Sequence, residues 1–83
     1  MYLHLGKDTL IKQADVIGIF DLDNTTVSKL TRDYLTRAEK SGRVVNVSLD
    51  LPKSFIVTLD KVYISNISST TLLKRTAFLM HNS

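Results

Sequence analysis

The longest uninterrupted apolar run in the chain is five residues, Val16 to Phe20 with Gly18 counted in, and this limits what the polypeptide can build. Five residues fall far short of the ~20 needed to cross a bilayer as a helix, so no membrane span is expected. The run is rich in β-branched residues and has no polar alternation, which is the pattern of a strand covered on both faces. Gly18 within it leaves room for a close neighbour. Residues 16–20 are therefore predicted to be the central strand of a sheet.

After this run the period changes. Residues 21–26 carry turn and cap chemistry. From there Val27, Leu30, Tyr34, Leu35 and Ala38 recur at helical spacing, with Lys29, Arg32, Asp33, Thr36, Glu39 and Lys40 on the opposite side. Thr25 or Thr26 is placed to cap the helix, and Ser41 with Gly42 to end it. Before the central run, residues 2–5 and 9–11 read as a small hairpin broken at Gly6, Lys7 and Asp8. Beyond the helix, residues 44–47 read as a short strand and residues 50–53 as a loop. Residues 55–59 and 62–64 read as two strands meeting in a tight turn at Asp60 and Lys61. Ser68 or Ser69 then caps a last helix with Leu72, Leu73, Thr76, Ala77 and Met80 on one side and Lys74 and His81 opposite. Phe78 falls off that stripe, which points to a subunit contact. The expected fold class is α+β: a small, mostly antiparallel sheet of about five or six short strands with two helices.

The sequence of 83 residues reads as a single domain, residues 1–83. A chain of this size buries roughly 60–65% of its unfolded surface, so its core is small and self-association would help it. With 43% hydrophobic and 23% charged residues, disorder is not expected. There is no cysteine, which removes disulfides, thiolate metal sites and thiol nucleophiles and fits a reducing compartment. The first residues have neither the basic nor the apolar region of a secretory signal, so the expected location is cytoplasmic. The net charge of +3 is uneven: residues 1–23 carry −2 and the remainder +5. A basic two-thirds of the chain suits a polyanionic partner, although solvated surfaces also reach this excess.

Several motifs bear on chemistry. Ile19, Phe20, Asp21, Leu22, Asp23, Asn24 and Thr25 resemble the first motif of the haloacid dehalogenase phosphatases, with Asp21 matching the nucleophile and Asp23 the acid-base. The later acids, Asp33, Glu39, Asp50 and Asp60, are neither paired nor close, and the chain lacks the length for that fold. The preferred reading is two aspartates leaving a strand and entering a helix N-terminus, where negative charge suits the dipole. His4 and His81 stand at opposite ends of the chain, so no metal site and no catalytic residue is assigned. The serines and threonines of residues 65–71 come with no nucleophile signature and are read as caps. The three glycines form no phosphate-binding loop, so no cofactor and no small-molecule substrate is identified. The candidate nucleic-acid contacts are Lys29, Arg32, Lys40 and Arg43, against the plainer reading of a solvated helix face interleaved with Asp33 and Glu39.

The order of segments adds to this. Residues 2–6 (YLHLG), 15–23 (DVIGIFDLD), 51–58 (LPKSFIVT) and 61–65 (KVYIS), then Ile67, Ser68, Ser69, Thr71, Leu72, Lys74 and Arg75, resemble the extracellular matrix regulatory protein family, domain of unknown function 370. The resemblance is nearest to the RemB branch and runs almost the full length. It implies an α+β protomer that assembles into rings and, for the RemA branch, DNA binding and transcriptional control of matrix genes. It also assigns the Ile-Phe-Asp stretch to this family's own strand. The RemA branch has an arginine-rich segment that aligns near residues 50–54, where this chain has Leu51, Pro52 and a single Lys53, and none of that branch's site residues is carried over. Two classes of function follow: a homo-oligomeric regulator that binds duplex DNA, and an oligomeric interaction module without DNA affinity.

Overall fold

The computed structural model describes residues 1–6, 8–22, 29–48 and 50–81, with the side chains of the same residues apart from 31 and 77–81. In chain order these are β1 (Tyr2–Gly6), β2 (Thr9–Lys12), a 3-10 turn (Gln13–Asp15), β3 (Val16–Asp21), α1 (Lys29–Lys40), β4 (Val44–Asn46), β5 (Ser54–Thr58), β6 (Val62–Ser65) and α2 (Ser69–His81). β1 and β2 form an antiparallel hairpin, and the other four strands form one sheet in the order β3-β5-β6-β4. Among the described strands only the β4 and β6 pair is parallel. The molecule is thus the α+β fold that the sequence predicts, with six strands and two helices among the described residues.

The four-stranded sheet is covered on both faces. Phe55 and Val57 of β5 pack with Val62, Ala38, Tyr34 and Leu35, which puts α1 on one side. Ile56 packs with Leu3, Leu5, Ile11 and Leu72, which puts the hairpin and α2 on the other. β3 and β4 sit at opposite edges and run parallel, so the connection through α1 crosses the sheet face over β5 and β6. Each large side chain buried in these layers contributes about 1.5–3 kcal/mol.

The interior strands are β5 and β6 rather than residues 16–20, and β3 is an edge strand. Every residue of β5 is buried, while Ile17 and Phe20 of β3 are exposed. The cause is chemical: Ser54 and Thr58 hide the burial of β5 behind polar side chains, yet both hydroxyls are satisfied, Ser54 Oγ donating to the Ile67 carbonyl at 2.7 Å and Thr58 Oγ1 to that of Lys61 at 2.9 Å. The neighbour that Gly18 admits is Phe20 of the same strand, whose ring lies across it. The β5–β6 turn is built on Leu59 and Asp60, one residue earlier than expected, with Thr58 N–H donating to the Lys61 carbonyl at 2.9 Å.

Both helix ends that are described obey their cap chemistry. At the end of α1, Gly42 takes φ +71°, its N–H reaches the Glu39 carbonyl at 3.1 Å, and Arg43 N–H reaches that of Ala38 at 2.9 Å. This is a Schellman stop, which requires a left-handed residue at that position. At the start of α2, Ser68 Oγ accepts the Thr71 N–H at 3.2 Å. Of the predicted stripes, Leu30 and Leu73 are exposed rather than buried. Asp23, Thr25, Thr26 and Val27, and the side chains of Ala77, Phe78, Met80 and His81, lie outside the described residues.

Candidate functional site

α1 is held to the sheet by Tyr34, Leu35 and Ala38, so its other side is committed to solvent. Lys29, Arg32 and Lys40 are all exposed there. Eleven residues separate Lys29 from Lys40, so at 100° per residue they fall within about 20° of the same line and about 16 Å apart along the axis. Arg32 stands about 60° to one side of Lys29, beside Glu39, and Asp33 about 40° to the other. Arg37, also exposed, flanks the ridge about 80° from Lys29 at the border of the apolar stripe; it is not among the predicted contacts.

Arg43 differs from the helix cations. It lies past the Schellman turn and is half-buried. Its Nε donates to Ser41 Oγ at 2.9 Å, and its guanidinium stands 5.9 Å from the centroid of the Tyr34 ring. A cation held over an aromatic face and by a hydrogen bond at Nε has less rotamer freedom than one on an open helix surface. The four predicted residues are thus brought onto one helix and its exit, three as an open ridge and the fourth as a fixed corner.

The other candidate residues are dispersed. Asp21 ends β3, His4 lies on the outward face of β1, and Lys53 stands exposed in the loop before β5. Among the described residues no three His, Asp or Glu side chains come together as a metal site. Among the described residues no helix is long and apolar enough to cross a membrane. Of the hydroxyls in residues 65–71, Ser68 is a cap, whereas Ser65 does other work: its Oγ donates to the Leu5 carbonyl at 2.7 Å and accepts the Ile67 N–H at 3.0 Å, fastening the hairpin to the sheet.

A groove of about 250 Å³ between β3 and α1 is lined by Ile17, Phe20, Leu30, Tyr34, Phe55 and Val57. A more polar cleft of about 300 Å³ lies between the hairpin and the β5–β6 turn, with Tyr2, Leu10, Lys12, Asp15, Lys61 and Tyr63 among its walls.

Residues 2–76 match the family model described as extracellular matrix regulatory protein A-like. The chain is also similar to extracellular matrix regulatory protein B of Bacillus subtilis strain 168, at 37% identity over 79 residues, covering 95% of this chain and 94% of the relative.

Proposed function

The chain belongs to the extracellular matrix regulatory protein A-like family, and from that membership we propose that it acts as a homo-oligomeric, cytoplasmic regulator that binds duplex DNA through the cations of α1. The observation that carries the reading is the open ridge of Lys29, Arg32 and Lys40 on the side of α1 turned away from the sheet. Ammonium and guanidinium groups on such a ridge are matched to phosphate oxygens and carry no base readout of their own. One protomer offers two or three such contacts, which is weak. A closed assembly of copies presents the ridge repeatedly along a duplex and gains by avidity.

The role is regulatory rather than enzymatic, and it needs no metal, cofactor or small-molecule substrate. A second reading, an oligomeric interaction module without DNA affinity, is favoured by Asp33 and Glu39 standing among the cations. Fluorescence anisotropy of a labelled random-sequence duplex at low salt separates the two. Saturable binding by the wild-type protein supports the regulator, and a flat titration at micromolar protein selects the interaction module.

A further inference from the structure

Among the described residues β3 leaves one edge of the sheet open, and the surface beside that edge is apolar. The register with β5 slips between Val16 and Gly18, so Ile17 is inserted as a bulge and joins Phe20 on the α1 side of the strand. The Phe20 ring stacks on Phe55 with centroids 5.0 Å apart, and it passes so close over Gly18 that a Cβ there would meet it at 2.7 Å. Leu30 forms the opposite wall from the first turn of α1. Ile17 is 65% exposed, Phe20 42% and Leu30 82%, three large apolar side chains around one groove. Contiguous exposure of this kind marks a contact surface rather than a requirement of the fold.

A second apolar surface lies in the opposite layer. The hairpin turns Leu3, Leu5 and Ile11 into the core and Tyr2, His4, Leu10 and Lys12 outward. Tyr2 and Leu10, 59% and 60% exposed, are diagonal neighbours across the hairpin and border the same cleft.

Charge selects what the groove can receive. A groove-to-groove contact would bring two α1 helices together, each with Lys29, Arg32, Arg37 and Lys40 against Asp33 and Glu39, a net +2 apiece. It would also leave Tyr2 and Leu10 bare. Lys7 and Lys12 of the hairpin segment are offset by Asp8 and by Asp15 of the 3-10 turn that follows it, so this layer sets less positive charge against a basic helix than a second α1 would. The groove is on the α1 side of the sheet and the hairpin on the other, so one copy can engage two neighbours at once.

We infer that the β3–α1 groove of one copy receives the hairpin face of the next, with Tyr2 and Leu10 entering between Ile17, Phe20 and Leu30. The contact is heterologous, so repetition closes into a ring or continues as a filament. This rests on the homo-oligomer reading above and names the surfaces that build it.

The test uses Leu30→Glu and Leu10→Glu, both at side chains more than half exposed, with far-UV circular dichroism to confirm that each variant folds. Light scattering coupled to size exclusion gives the masses. The wild type is expected at several times 9.3 kDa and each variant alone at 9.3 kDa. An equimolar mixture of the two variants is expected to form a complex of two chains, because one retains a working hairpin and the other a working groove. If Leu10→Glu keeps the wild-type mass, or the mixture stays monomeric, the head-to-tail contact is wrong. If both variants keep the wild-type mass, the interface lies elsewhere and the oligomer reading survives. A wild-type monomer at micromolar concentration overturns both.

Discussion

Replacing Ser65 by alanine should be among the most damaging single-atom changes available in this chain. Ser65 is fully buried and its one oxygen serves two backbone groups, the Leu5 carbonyl at 2.7 Å and the Ile67 N–H at 3.0 Å. Alanine leaves both without a partner, one in the hairpin and one at the approach to α2. A neutral hydrogen bond is worth about 1 kcal/mol net, and a buried group left unpaired costs about 1–3 kcal/mol. Allowing for partial relaxation, the expected loss is about 2–4 kcal/mol. In a chain of this size each kcal/mol shifts the melting midpoint by about 4–8 °C, so a fall of at least roughly 8 °C is expected. Urea denaturation followed by circular dichroism measures it, at matched protein concentration because assembly adds a concentration-dependent contribution. Ser54→Ala is the internal control: its hydroxyl serves only the Ile67 carbonyl, at 2.7 Å, so about half the loss is expected. A Ser65→Ala effect below about 0.5 kcal/mol, or one no larger than that of Ser54→Ala, would refute the double-bridge reasoning.

Gly18→Ala places a Cβ against the Phe20 ring, which must leave its stack on Phe55, so the loss of the aromatic contact, about 0.5–1.5 kcal/mol, should appear in the same urea assay. Gly42→Ala meets no atom within 4 Å but must hold φ +71°, so a loss of about 1–2 kcal/mol comes from backbone strain alone, and none would mean that the Schellman turn relaxes. Arg32→Glu combined with Lys40→Glu should weaken duplex binding by at least tenfold, by anisotropy, while light scattering shows an unchanged oligomer mass. The protein should not hydrolyse p-nitrophenyl phosphate with Mg²⁺ above background; metal-dependent turnover lost in Asp21→Asn would contradict the regulatory reading.

Local chemistry was legible in the sequence where one segment determines its own structure. The hairpin, the Schellman stop at Gly42, the Ser68 cap and the β5–β6 pair all follow from residues within a few positions of each other. What the sequence concealed depends on neighbours. The apolar run at β3 reports apolar surroundings without saying whether another strand or another molecule supplies them, so an edge strand passed for a central one. Leu30 has the correct spacing for the core stripe, but it stands over the bare margin of the sheet, beside β3, and remains in water. The role of Ser65 depends on Leu5, sixty residues away, and no local pattern encodes it. The basic ridge was legible because charge and helical period suffice to place it, except for Arg37 at the margin of the stripe.

The central claim, that a repeated ridge of α1 cations engages DNA, is tested most directly by the salt dependence of duplex affinity. Each phosphate neutralised contributes about −0.9 to the slope of log K against log salt, so several protomers bound together predict a slope steeper than about −4. Anisotropy titrations of one labelled duplex across a series of salt concentrations give that slope. A steep line supports cooperative engagement by the oligomer. A slope near −1, or no binding at the lowest salt, contradicts the claim and leaves the protein an interaction module.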